Sequence, residues 1–177
     1  MCMIFQLGTI VSTRRLHQFD NIIGPFINAV VIRNVFGNDD TFEQMVLMTK
    51  DKSIKAFENK DISFGEIINS LSVNYDFKGK SNPFYDMVFL FQNVPMPIFS
   101  MKNLEIKKYK QGYNIARENL ILELTCKDKL IFGGIYFNNN IYKVETIKRL
   151  IDGFVKILKM VITQPQIKLK EIRKKFN

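Results

Sequence analysis

Apolar and polar residues along the chain alternate between two periods, and the changes of period mark out its elements. Residues 3–11 read as a strand and residues 12–21 as a polar loop. A nearly continuous apolar run, Phe26, Ile27, Ala29, Val30, Val31 and Ile32, predicts a second strand over residues 25–33, of the kind buried on both faces. A turn over residues 36–40 leads into Thr41-Phe42-Glu43-Gln44, a capping-box pattern in which each end of the box satisfies a backbone N–H of the other. The helix it opens is expected to run to about Glu58. A second box, Ser63-Phe64-Gly65-Glu66, opens a shorter helix with Phe64, Ile67, Ile68 and Leu71 on one face.

The pattern then changes. Residues 75–82 read as loop and residues 85–92 as another strand, with Met87 to Phe91 unbroken in apolar character. Pro95 and Pro97 make residues 94–99 an irregular connection. A short strand is expected over residues 104–109, and a hairpin pairs residues 120–125 with 130–137 around Cys126-Lys127-Asp128-Lys129. Val144, Ile147, Ile151, Phe154, Leu158 and Val161 recur at helical spacing and predict a last helix that covers the sheet. The fold class expected is α/β, an α+β sandwich whose mixed, largely antiparallel sheet is covered by helices.

Composition narrows the function more than the fold. With 46% hydrophobic residues the 177-residue chain can bury a core. The 26 basic residues exceed 17 acidic ones, a formal +9, but they are mostly Lys and are spread along the chain. Spread lysines without interleaved exposed aromatics do not make a nucleic-acid surface, so no nucleic acid is expected. The exception is the cluster Lys168, Lys170, Arg173, Lys174 and Lys175, which reads as a solvated tail. No apolar run approaches a membrane span, so no membrane partner is expected. Two cysteines, Cys2 and Cys126, are too few for a disulfide framework and suit a reducing, cytoplasmic setting.

Candidate chemistry is sparse. The single histidine, His17, lies beside Arg14, Arg15 and Asp20, and no nucleophile motif surrounds it, so it reads as solvated. A histidine-rich metal site is impossible, and no phosphate-binding glycine loop occurs. From residue chemistry alone no active site is nominated.

A series of motifs is more telling. Leu7-Gly8-Thr9-Ile10-Val11-Ser12-Thr13-Arg14 is similar to an I-G-T-P-V-x-x-R stretch, with Ile10 in place of Pro. Ile23-Gly24-Pro25-Phe26-Ile27-Asn28, closing on Arg33, is similar to I-G-x-F-V-N-T-x-x-x-R, with Ala29 for Thr. Asn59-Lys60-Asp61-Ile62-Ser63-Phe64 follows H/N-Q-D-x-P-F, departing at Lys60 and Ser63. The run from Asn82-Pro83-Phe84 to Phe91-Gln92-Asn93 follows N-P-L-F-x-V-M-F-x-x-Q-N, but Phe77 and Lys78 stand where an Arg-Asp pair is usual. Glu145-Thr146-Ile147-Lys148-Arg149-Leu150 follows D/E-T-I-x-R-L. In this order the motifs resemble the C-terminal lobe of the condensation domains of nonribosomal peptide synthetases.

That resemblance implies half of a chloramphenicol-acetyltransferase-like two-lobe fold, with residues 1–177 forming a partial domain. Missing is the N-terminal lobe with its H-H-x-x-x-D-G motif; the chain has no His-His pair. The family joins carrier-bound aminoacyl and peptidyl thioesters in a tunnel between the lobes, forming an amide. By position, the resemblance places Ser12 and Asn28 at that tunnel and Arg33 as the arginine closing the motif. The plainer alternatives are a strand-end cap for Ser12, a polar group satisfied within the sheet for Asn28 and a structural ion pair for Arg33. No cofactor is expected to bind directly; phosphopantetheine would arrive on the carrier protein. The implied partners are a peptidyl or acyl carrier protein and the missing lobe or neighbouring synthetase domains. The lone lobe is expected to be inert and prone to self-association. An alternative is a non-catalytic module that docks an acidic carrier protein or a complementary lobe, for which the basic charge would suit.

Overall fold

The computed structural model describes residues 2–14, 16–71, 82–93, 102–104 and 118–176. A five-stranded mixed sheet forms its centre, with β1 (Cys2–Ser12), β2 (Ile27–Gly37), β3 (Met87–Gln92), β4 (Leu120–Lys127) and β5 (Leu130–Phe137) in the order β2-β1-β3-β4-β5. The outer pairs, β1–β2 and β4–β5, are long antiparallel ladders, and the inner pairs around β3 are parallel. Asp128 and Lys129 both take positive φ, 51° and 64°, which turns the β4–β5 hairpin in two residues.

Alternation assigns the faces of the sheet. Phe5, Leu7, Thr9 and Val11 of β1 lie opposite Asn34, Ile32, Val30 and Asn28 of β2 on one face. Gly8 and Arg33 belong to the other face. The first face carries α1 (Phe42–Glu58). The second carries α2 (Phe64–Ser70), whose Phe64 meets Tyr85 edge-on at 6.3 Å while the Tyr85 ring lies against Gly8. Both helices begin as the sequence predicts. Thr41 Oγ1 accepts from Gln44 N while Gln44 Oε1 accepts from Thr41 N, and Ser63 and Glu66 do the same for α2.

Three expectations are corrected. The β2 strand is not buried on both faces: it is an edge strand, with Val30, Ile32, Asn34 and Phe36 buried, Arg33 and Val35 exposed, and β1 as its one neighbour. It also extends to Gly37, into the predicted turn, because Met3 and Cys2 continue the ladder opposite Phe36 and Gly37. The predicted tail is a helix, α4 (Leu169–Phe176). Its Leu169 and Ile172 are buried, and Ile167 and Ile172 form a core cluster with Val161 of α3 (Val144–Thr163), joined by Phe42, Ile157 and Met160. Apolar residues three apart inside a basic run are enough to fold it once α3 offers a surface.

The same C-terminal segment closes the start of α1. Phe42 N donates to Ile167 O at 3.0 Å, Glu43 N to Pro165 O at 2.9 Å, and Leu169 N to Asp40 O at 3.0 Å. The first N–H groups of a helix have no partner within it, and here a segment distant in sequence supplies one for two of them. The long helix α3 buries Ile147 and Val161 but leaves Ile151, Val155, Leu158 and Ile162 exposed. The strand expected over residues 104–109 lies outside the described residues apart from Leu104, as does the irregular connection over residues 94–99.

Candidate functional site

The open end of the β1–β2 ladder gathers two of the three residues singled out by sequence. Ser12 lies opposite Ile27, and Val11 opposite Asn28. Asn28 Nδ2 donates to Lys60 O at 2.8 Å and to Ile62 O at 2.7 Å, and its Oδ1 accepts from Ala29 N at 2.9 Å. Its amide therefore fastens the turn between α1 and α2 to the edge strand. The Lys60 ammonium reaches back to Ser12 O at 2.6 Å. Lys60 and Ser63, the two departures from the third motif, thus have defined roles: one ties the turn to β1, the other caps α2.

Ser12 is exposed, and its Oγ accepts from Arg14 N at 3.2 Å. Arg14 organises the loop that follows. Its guanidinium donates to Phe19 O and to Ile22 O and stacks 4.2 Å from the centroid of the Phe26 ring. Arg33 is not part of this cluster. It is exposed on the opposite face, beside Gln6 in the ladder, and makes no ion pair among the described residues. His17 lies at the surface with Nδ1 3.2 Å from Asp20 Oδ2. The positions of Phe77 and Lys78 lie outside the described residues.

Ser12 lines a groove of about 1050 Å³ on the first face of the sheet. β1 forms its floor through Phe5, Leu7, Thr9 and Val11, α1 forms one wall, and Phe89 and Phe91 of β3 flank it. Neither Asn28 nor Arg33 lines it. Asn34 does, and residue chemistry alone did not single it out. It is only 4% exposed, and its Oδ1 has no hydrogen-bond partner among the described residues. The signal was available in the alternation, since a polar residue in phase with Ile32 and Phe36 must point into the core. Thr49 and Ser53, four apart on α1, line the groove as well.

No cluster of His, Cys, Asp or Glu among the described residues could hold a metal ion. No described helix is long and apolar enough to cross a membrane. Burial pushes the Glu118 carboxyl up from its ordinary value, but Glu118 does not line the groove. The groove offers shape, apolar walls and one buried amide, and no histidine.

Comparison with known proteins matches residues 4–174 to the family model of the condensation domain. Gramicidin S synthase 2 of Aneurinibacillus migulanus is 32% identical over 170 residues, covering 94% of this chain and 4% of the synthase. Among solved structures, the X-domain from teicoplanin biosynthesis superposes with a TM-score of 0.83 at 19% identity, over 94% of this chain and 38% of that one. The first condensation domain of the calcium-dependent antibiotic synthetase superposes with a TM-score of 0.66 at 14% identity, over 95% of this chain and 36% of that one. The chain thus spans well under half of each of these relatives.

Proposed function

The chain belongs to the condensation-domain family, and from that premise we propose that it acts as the C-terminal lobe of such a domain, contributing one wall of the site where an amide forms between carrier-bound aminoacyl or peptidyl thioesters. The observation that carries this reading is the family match across residues 4–174, in a chain whose one histidine is exposed and engaged by Asp20. An amine attacking a thioester gains most from being held in place beside a group that can handle its proton. This lobe contributes placement: Ser12 and Asn28 sit at the strand end, with the turn behind them tied down by Lys60. The proton-handling histidines belong to the complementary lobe. Phosphopantetheine is the arm of the partner carrier protein and reaches the site with the substrate, so this chain holds no cofactor of its own.

The test is a condensation assay with acyl-carrier and aminoacyl-carrier substrates. The purified chain is expected to give no amide, and addition of a separately made His-bearing lobe is expected to restore turnover. Turnover by the chain alone, abolished by Ser12→Ala or Asn28→Ala, would overturn the reading.

A second reading, a non-catalytic module that docks an acidic carrier protein, is favoured by the exposed Arg173, Lys174 and Lys175 in the last turn of α4. Carrier capture that weakens as salt rises, with no turnover even after the His-bearing lobe is added, would select it.

A further inference from the structure

We propose that β5 is a self-pairing edge: two copies of the chain join β5 to β5, antiparallel about a two-fold axis at Gly134, so that their two five-stranded sheets become one. This goes beyond the lobe reading and does not rest on it.

β5 ends the sheet and has β4 as its one neighbour among the described residues. Its first five residues are exposed, and Leu130, Ile131 and Phe132 keep 69%, 64% and 54% of their surface. The turn fixes which backbone groups face outward. In a two-residue hairpin the flanking residues, here Lys127 and Leu130, exchange both hydrogen bonds, and such pairs alternate with unbonded ones. Phe132, Gly134 and Tyr136 therefore turn their N–H and C=O toward β4, while Ile131, Gly133, Ile135 and Phe137 turn theirs to the open side. Sheet edges are usually blunted by charge, proline or a bulge. The opposite edge has the exposed Arg33 in mid-strand. β5 has no charged residue and no proline from Leu130 through to Tyr142, and its register with β4 runs without a bulge.

The two glycines of β5 point to the occupant. At Gly133 a β-carbon would lie 1.9 Å from Glu123 O, so the β4–β5 ladder itself requires glycine. At Gly134 a β-carbon would meet nothing within 4 Å, and nothing in the single chain calls for glycine there. A glycine inside a strand often marks where another backbone comes close. With the axis at Gly134, its two copies face each other as an unbonded pair, the closer kind, with α-carbons about 4.5 Å apart. Ile131 then faces Phe137 of the second copy and Gly133 faces Ile135, all with outward backbone groups, so donors meet acceptors along the whole of residues 131–137. Phe132 faces Tyr136 of the second copy beside the glycine pair, an aromatic cross-strand contact.

Charge favours the same register. Each copy carries a formal +9, so contact through lysine-bearing surfaces is repulsive. Here Lys129 falls opposite Asn139 and Lys127 opposite Ile141 of the second copy, and no like charges meet. An axis at Gly133 would set Lys129 against Phe137 instead. A helix laid on this edge would leave the outward N–H and C=O groups unpaired. A strand of another protein would have to supply the neutrality and the small centre that β5 supplies to itself.

Sedimentation velocity of the purified chain, run from low to high micromolar concentration, is expected to show a monomer–dimer equilibrium. Ile131→Lys, which puts a charge on the edge, is expected to weaken the dimer about tenfold or more. Ile151→Lys, on the exposed face of α3, is expected to dimerise as wild type. Register is read by disulfide trapping, with Cys2 and Cys126 replaced by serine. The Gly134→Cys side chain has room, and its two copies stand within disulfide reach, so mild oxidation is expected to give a covalent dimer. Ile131→Cys is expected to give none, since its two copies would lie six strand positions apart, about 20 Å. The trapping result stands even if Ile131→Lys fails to fold. A chain that stays monomeric throughout would overturn the pairing. So would a dimer lost in Ile151→Lys and kept in Ile131→Lys, or trapping by Ile131→Cys in place of Gly134→Cys. Each of these failures leaves the lobe reading standing.

Discussion

The ring of Tyr85 occupies the space that a β-carbon on Gly8 would need: an added Cβ would lie 2.6 Å from two of its carbons. Tyr85 is buried and braced by Phe64, so the ring has nowhere to retreat. Gly8→Ala is expected to destabilise the chain by about 1–3 kcal/mol, the usual range for overpacking. Adding Tyr85→Leu should recover part of that loss, so urea unfolding of the double variant should fall short of the sum of the single effects.

Asn28 holds the α1–α2 turn with two bonds to backbone carbonyls. Asn28→Ala leaves both carbonyls short of a donor and is expected to cost about 1–3 kcal/mol. Asn28→Asp should be worse than Ala at neutral pH, since a carboxylate would face two acceptors. Hydrogen exchange should report faster opening at Lys60 and Ile62 in both variants, whose amides bond to Phe57 O and Asn59 O.

The ion pair between Lys170 and Asp39, 2.5 Å apart, ties α4 to the β2–α1 turn. Its hydrogen bond and charge hold the Asp39 carboxyl below its ordinary 3.8 and the Lys170 ammonium above its ordinary 10.5. The Asp39 contribution is complete above pH 3.8 and is lost as pH falls through the lower folded value. The Lys170 contribution is complete below pH 10.5 and is lost as pH rises through the higher folded value. Asp39→Asn should therefore lower Tm between those limits, converge with wild type at strong acid, and matter less in high salt because both groups are exposed.

A solvated tail could be removed without penalty; α4 cannot. Truncation after Gln164 would remove Ile167, Leu169 and Ile172 from the core, uncover Val161 and strip the acceptors from Phe42 N and Glu43 N. The milder Ile172→Ala is expected to cost about 2–5 kcal/mol. Thr41→Ala, which removes the side-chain cap at the same junction, should cost about 1 kcal/mol. Thermal unfolding followed by circular dichroism ranks the three, with truncation the most severe.

Local features were legible in the sequence because their physics is local. The boxes at Thr41 and Ser63 need only four consecutive residues, and the hairpin follows from its two flanking strands, although β4 runs on through Cys126 and Lys127 and leaves only Asp128-Lys129 as the turn where four residues were expected. The family likeness was legible too, through motifs whose glycine and asparagine have identifiable work in the fold: Gly8 admits Tyr85, and Asn28 pins the turn. Features that depend on distant neighbours were not legible. An apolar run cannot say whether both faces of its strand are covered, so β2 read as buried on both, although Val35 is exposed. Ile167, Leu169 and Ile172 are hidden among lysines until α3 is beside them. The groove arises from what does not cover β1, and Ser12, Asn28 and Arg33 could not reveal it, since only Ser12 touches it.

The bonds from Phe42 and Glu43 to Ile167 and Pro165 also bear on the order of events during synthesis. The first turn of α1 is translated more than 120 residues before the carbonyls that satisfy it. A ribosome must pass Pro165 and Ile167 before those bonds can form, while the β1–β2 ladder and the β4–β5 hairpin need only nearby residues. Until those residues emerge, α1 has an open start beside the β1–β2 ladder, the state in which a chaperone would find this segment.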